Sequence, residues 1–190
     1  MLDEPQKAIP YLKNVLVIRP KDRTVGSYIA DEDYGNLYCA YLSIADTNSL
    51  EKLQLDKIKN HPGVDTNAND YNTMGNIYVF RKKYELAKKM YNEALRLRFQ
   101  YPFTDDVIYN SNLGLAYVAY LLGKDKDALN YIEKAYRAKS KEWEQYILYG
   151  IIMMRQGDAS SAYIAFKEAK KLHERKWIDD ELLNKFFVTD

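Results

Sequence analysis

Cysteine is almost absent from this chain of 190 residues: Cys39 stands alone, so no disulfide can form within it. Cys39 falls inside a helical pattern, where a small residue of the core is the expected role. A lone thiol is compatible with a reducing compartment such as the cytoplasm. Glycine and proline are scarce as well, at 8 and 5 residues, and they fall mainly between helical patterns. That distribution excludes a long disordered tract and argues against an all-β fold. No apolar run approaches the roughly 20 residues that cross a bilayer, so membrane insertion is not expected. The opening MLDEPQ lacks a basic region followed by an apolar stretch, so no signal peptide is read there. Net charge is only +1, which leaves no field to draw the protein to nucleic acid or to an anionic membrane.

Catalytic sets are missing too. The two histidines, His61 and His173, lie far apart in the sequence. His173-Glu174 begins like a zinc-protease helix, but Trp177 stands where the second histidine is required. Gly123-Lys124 has no glycine before it at phosphate-loop spacing and no strand leading in. Cys39 has no evident histidine partner, and no G-x-S-x-G occurs. The basic runs at 81–83, 88–89 and 170–171 read as solvated helix faces. No catalytic residue, no metal ligand and no cofactor is therefore expected.

What is abundant is tyrosine, at 18 residues. Its ring packs while its hydroxyl stays wet, which suits half-buried helix surfaces. The stretch Asp70 to Leu95 organises the rest. It reads as two amphipathic helices joined by a tight turn, with Gly75 and Tyr78 on the first and Ala87, Tyr91 and Ala94 on one face of the second. Small residues alternate with large rings, so two backbones can approach closely. The pattern recurs 41 residues later as Leu115, Ala116, Ala119, Gly123, Ala128, Ile132 and Ala135. After a further 34 it recurs as Tyr149, Gly150, Gly157, Ala162, Phe166 and Ala169, preceded by Tyr146.

With Tyr71, Met74, Gly75, Tyr78, Ala87, Tyr91 and Ala94, this pattern resembles the tetratricopeptide repeat (TPR). A weaker copy runs through Leu37, Tyr38, Tyr41, Leu50 and Pro62. Ala8, Leu12, Val15 and Pro20 match only the second helix of a repeat. The resemblance implies an all-α fold, an α–α superhelix or solenoid of antiparallel helix pairs. It divides the chain into a single array: a partial repeat at 1–22, a degenerate one at 31–62, repeats at 68–101, 109–142 and 143–176, and a capping helix within 177–190.

In chain order, helices are expected at about 4–19, with Pro10 kinking the helix or delaying its start, and at about 31–45, begun by Asp31, Glu32 and Asp33. The next, at about 49–60, is capped by Ser49 and ended by His61-Pro62-Gly63. Pairs follow at 68–81 with 84–100, 106–122 with 125–138, and 141–156 with 159–174. The seven residues that separate a step of 41 from one of 34 are placed in the loop around 101–106.

The resemblance also implies where a partner sits, since first helices of the pairs line the groove in this family. The groove residues are then Asn36 with Ser43, followed by Asn69, Asn72, Asn76 and Phe80. Asn110, Leu113, Tyr117 and Tyr120 come next, and Glu144, Ile147, Ile151 and Met154 complete the set. An asparagine side chain carries donor and acceptor together and can bridge a peptide backbone; the competing role is a cap or a bond between helices. Glu144 and Leu148 stand where relatives that clamp a terminal carboxylate need cations, so that specialisation is not expected. The implied function is a non-catalytic scaffold for a protein or peptide partner. A sensory or regulatory segment of a larger signalling or transcription-regulating protein is the alternative, and an envelope assembly component is a third. The helix at 4–19 looks like a half-repeat, which leads to the expectation that a longer array or self-association covers it.

Overall fold

The computed structural model describes residues 5–18, 27–60, 68–98 and 104–173. All described secondary structure is helical: α1 (Pro5–Ile18), α2 (Ser27–Ser43), α3 (Thr47–Asn60), α4 (Ala68–Phe80), α5 (Tyr84–Leu97), α6 (Thr104–Leu121), α7 (Asp125–Ala138), α8 (Trp143–Arg155) and α9 (Ala159–Leu172). The fold is all-α and TPR-like, built of antiparallel helix pairs. The expected capping helix within 177–190, the 61–63 helix stop and the loop carrying the extra residues lie outside the described residues.

Contacts group the chain into two compact units, residues 1–100 and 101–190. In unit 1, α1 packs on α2, α2 on α3, α3 on α4 and α4 on α5. In unit 2, α6 pairs with α7 and α8 with α9, while α8 also meets α7 and α6.

The hairpins α2–α3, α4–α5, α6–α7 and α8–α9 close with the same turn. Two consecutive backbone N–H groups reach back over the end of the first helix: Lys82 to Val79 O and Lys83 to Tyr78 O, then Gly123 to Tyr120 O and Lys124 to Ala119 O. Gly157 and Asp158 repeat it on Met154 and Met153, and Ala45 and Asp46 on Leu42 and Tyr41. Such a turn needs one left-handed residue. Gly123 and Gly157 meet that need without strain, whereas Ala45 (φ 55°) and Lys82 (φ 57°) hold it with a side chain attached.

Within the pairs, one contact repeats at a fixed separation. A Cβ placed on Gly75 would lie 2.5 Å from the Tyr91 ring, and one on Gly150 would lie 2.7 Å from the Phe166 ring. In α6–α7 the same two positions hold Ala116 and Ile132, both buried. The trade is one of volume: where the first helix gives up its methyl, the second carries a ring.

The structure corrects several expectations. Helix α2 begins at Ser27, so Asp31 to Asp33 fall beyond its first turn. A charge near a helix start is worth only about 0.3–1 kcal/mol and does not set the boundary. Helix α3 begins at Thr47, and its cap is Asp46, whose Oδ1 accepts the Ser49 N–H at 3.0 Å. Helix α6 begins at Thr104, so residues 104–106 are helical and not part of the expected loop. Pro10 lies inside α1, which starts at Pro5. Cys39 is exposed, not a core residue. Helix α2 turns Tyr34, Leu37, Ala40 and Tyr41 inward, and the helical repeat sets Cys39 away from that stripe.

Candidate functional site

Each first helix of a pair has one face turned from its partner helix. On α4 this face runs through Asn69, Asn76 and Phe80, all exposed, with Thr73 half-buried between them. Phe80 is 71% exposed. Asn72 departs from the expectation. It is buried, because it lies three residues from Asn69 and four from Asn76, on the flank of the stripe and not at its crest. Asn76 has a structural duty as well: its Oδ1 accepts the Tyr91 hydroxyl at 2.7 Å, tying α4 to α5. Burial pushes that phenol well above its usual pKa, so it stays a protonated donor. Asn36 is exposed on α2, as is Ser43, whose hydroxyl donates to Ala40 O at 2.8 Å.

In unit 2 the corresponding faces are apolar. Asn110 and Tyr117 are exposed on α6, and Leu113 and Tyr120 are half-buried. Ile147, Ile151 and Met154 on α8 are half-buried against the unit's core of Ala116, Ile132, Leu148, Ile152 and Phe166. Tyr117 stacks on Tyr120, with ring centres 6.3 Å apart and planes at 20°. The Arg155 guanidinium lies 4.0 Å over the Tyr120 ring. The same guanidinium pairs with Asp125 and donates to Tyr120 O at 3.0 Å, so it is fully engaged on α6 and α7. Glu144 accepts the Tyr109 hydroxyl at 3.1 Å. Burial first, and the Glu144 carboxylate second, push the Tyr109 phenol up and keep it a donor.

The structure thus gathers Asn69, Asn76 and Phe80 on one helix face of unit 1. In unit 2 it sets Leu113, Tyr120, Ile147, Ile151 and Met154 around one core. Leu121, 38% exposed, belongs with them. It lies four residues past Tyr117, as Phe80 lies four past Asn76, so the spacing could have found it. Half-repeat α1 packs on α2 with Ile9 and Leu12 half-buried, while Tyr11 is 74% exposed.

A second concavity in unit 2 has no counterpart in the sequence reading. Helices α7, α8 and α9 enclose a groove of about 530 Å³. Its α8 residues, Gln145, Tyr146, Tyr149 and Met153, alternate with Glu144, Ile147, Ile151 and Met154 and so occupy the opposite side of that helix.

Among the described residues, no three His, Cys, Asp or Glu side chains gather as metal ligands, and no helix is long and apolar enough to cross a membrane.

No protein-family profile matches this chain, and a search of curated proteins finds no match. Solved structures do match. A crystal structure of MamA is similar with a TM-score of 0.61 and 21% identity, over 90% of each chain. MamA residues 41 to the end from Desulfovibrio magneticus RS-1 give 0.61 and 17%, over 90% of this chain and 86% of that one. BtubC (BKLC) from P. vanneervenii gives 0.70 and 15%, over 97% of this chain and 78% of that one. At these identities the likeness is one of fold: a TPR-like helical repeat.

Proposed function

We propose that this protein is a non-catalytic scaffold that holds a segment of a protein partner on the outward faces of α6 and α8 in unit 2. The observation that carries the reading is the apolar face of unit 2, where Tyr117 and Leu121 are 44% and 38% exposed. Arg155, the cation beside it, is already paired with Asp125. Such a face offers apolar burial, with the Glu144 carboxylate at its end held by the Tyr109 hydroxyl. Unit 1 presents a face of its own, with Asn36 on α2 and Asn69, Asn76 and Phe80 on α4 exposed and Asn72 buried on its flank, where asparagine amides can bond a backbone beyond Asn76's link to Tyr91. Asn110 belongs to the face of unit 2. The TPR-like fold is consistent with such a role, since helical repeat arrays present extended binding surfaces.

A displayed library of random peptides, selected on the full chain, tests this. Peptides held by unit 2 should lose about 1–3 kcal/mol of binding on Tyr117→Ala, and peptides held by unit 1 about as much on Asn69→Ala with Asn76→Ala. Their affinity should vary little with salt, because few ion pairs form. Affinity unchanged in both variants, or a steep fall with added salt, overturns the reading. The exposed Tyr11 of α1 extends the proposal to self-association, and a single sedimentation coefficient at all concentrations would remove that part.

A further inference from the structure

The groove between α7, α8 and α9 is a different surface from the one just proposed. Its floor and walls are apolar: Ile132 and Tyr136 from α7, Tyr149 and Met153 from α8, and Ile164 from α9. Ile164 is 68% exposed and Tyr136 47%. Large apolar side chains seldom stand so open around a concavity unless something docks there.

The charged groups of the groove share one sign: both are carboxylates. Glu133 and Glu168 line it, and no lysine or arginine does among the described residues. Each carboxylate has an exposed neighbour on its own helix, Arg137 and Lys171. Exposed pairs of that kind are weak and readily exchanged. Gln145 lines the groove too, 1% exposed, with its Nε2 donating to Lys139 O at 2.9 Å.

We propose that this groove is a second docking site, taken by an amphipathic helix of a protein partner with an apolar stripe and lysine or arginine on its flank. Apolar walls cannot satisfy the backbone of an extended peptide, whereas a helix satisfies its own. Charge supports the assignment: two carboxylates, Glu133 and Glu168, line the groove, and the cationic flank complements them. The chain's own residues 174–190 carry five acidic and three basic side chains, which makes them a poorer electrostatic match.

The test uses the full chain and two fluorescent peptides of about 18 residues, or five turns. Both carry leucine at i, i+3, i+4 and i+7, one with lysine elsewhere and one with glutamate. Fluorescence anisotropy should show the leucine–lysine peptide binding at least about tenfold tighter. Ile164→Ser should weaken it by about tenfold, and Tyr136→Ala should act in the same direction. Glu133→Gln with Glu168→Gln should bring the two peptides to within about threefold. Tyr117→Ala, on the other surface, should leave both unchanged. Equal affinity for the two peptides overturns the proposal. So does binding lost with Tyr117→Ala but kept with Ile164→Ser, which would give the peptide to the outward face of α6. Absence of peptide binding also overturns it. With self-association abolished by Ile164→Ser, that result assigns the groove to a second copy. With a disulfide between Ile164→Cys and Leu183→Cys in a Cys39→Ser background, it assigns the groove to the chain's own end.

Discussion

One repeat position is polar and buried in both units, but it carries a charge in one and an amide in the other. In unit 1 it is Asp70, 6% exposed, which holds Lys57 Nζ at 2.9 Å and accepts the Gln54 amide at 3.1 Å. In unit 2 it is Gln145, 1% exposed, which reaches only a backbone carbonyl. The second junction contact differs as well. Glu51 of α3 draws two cations, Arg81 and Lys83, whereas Asp125 in unit 2 is met by one cation among the described residues, Arg155, and by the Gln156 amide. Unit 1 therefore joins α3 to α4 largely through ions. Unit 2 joins α7 to α8 through Ile132, Leu148 and Met153. The outward faces follow suit, asparagine on α4 and tyrosine, leucine and isoleucine on α6 and α8. The same helical frame can be assembled by either chemistry, because backbone geometry and the small-residue seam are set inside each hairpin.

The largest effect should come from the part the units share. Tyr91→Ala and Phe166→Ala each remove a buried ring seated on a glycine, and each should cost about 3–5 kcal/mol in chemical denaturation. Gly75→Ala and Gly150→Ala force a methyl into those same rings and should cost about 1–3 kcal/mol. Ala116→Gly, beside the smaller Ile132, should cost about 1 kcal/mol, from backbone entropy. A loss in Ala116→Gly as large as in Phe166→Ala would break the volume rule.

Next in size is the contrast at the junctions. Asp70→Asn strips Lys57 of its carboxylate in a partly buried setting and should cost about 2 kcal/mol. Hydrogen exchange should speed up in α3 and α4 and stay unchanged in α8. Gln145→Leu gives up one hydrogen bond but also an orphaned acceptor, and should stay within about 1 kcal/mol of the parent. Equal losses in the two variants would erase the distinction between an ionic and an apolar junction.

Smaller still are the turns. Lys82→Gly and Ala45→Gly relieve left-handed backbone and should stabilise by up to about 1 kcal/mol, while Gly157→Ala should destabilise by a similar amount. Calorimetric melts would show a rise in Tm for the first two and a fall for the third.

The smallest effect links the two units through pH. Asp46 caps α3 and Asp158 caps α9, and a hydrogen bond from Ser49 or Ser161 holds each carboxyl below its usual range. A depressed carboxyl stabilises the fold above its unfolded pKa, and that contribution is lost as pH falls through the folded value. The first turns of α3 and α9 should therefore lose exchange protection together below about pH 4. Asp158→Asn should remove the response in α9 and leave it in α3. Protection that persists in both turns at low pH would count against the caps.

The sequence by itself determined the hairpins, their turns and the pairing of a small residue with a ring across each seam. All are local: Gly75 and Tyr91 lie sixteen residues apart on consecutive helices, and helical periodicity sets them on facing sides. The residues assigned to the outward face of α6 and α8 came from the resemblance to the repeat family, which says which helix of each pair faces a partner. Tertiary structure alone decided the rest. Asn72 lies only about a ninth of a turn from Asn76 at the edge of the outward stripe of α4, and Cys39 about a third of a turn from Ala40 at the edge of the inward stripe of α2, so only the rotation of α4 and α2 against their neighbours settled that one is buried and the other exposed. The groove of unit 2 was hidden for a stronger reason. Its walls come from α7 and α9, and its floor from α8 between them in sequence, and no period within one helix encodes the width that packing leaves between two others.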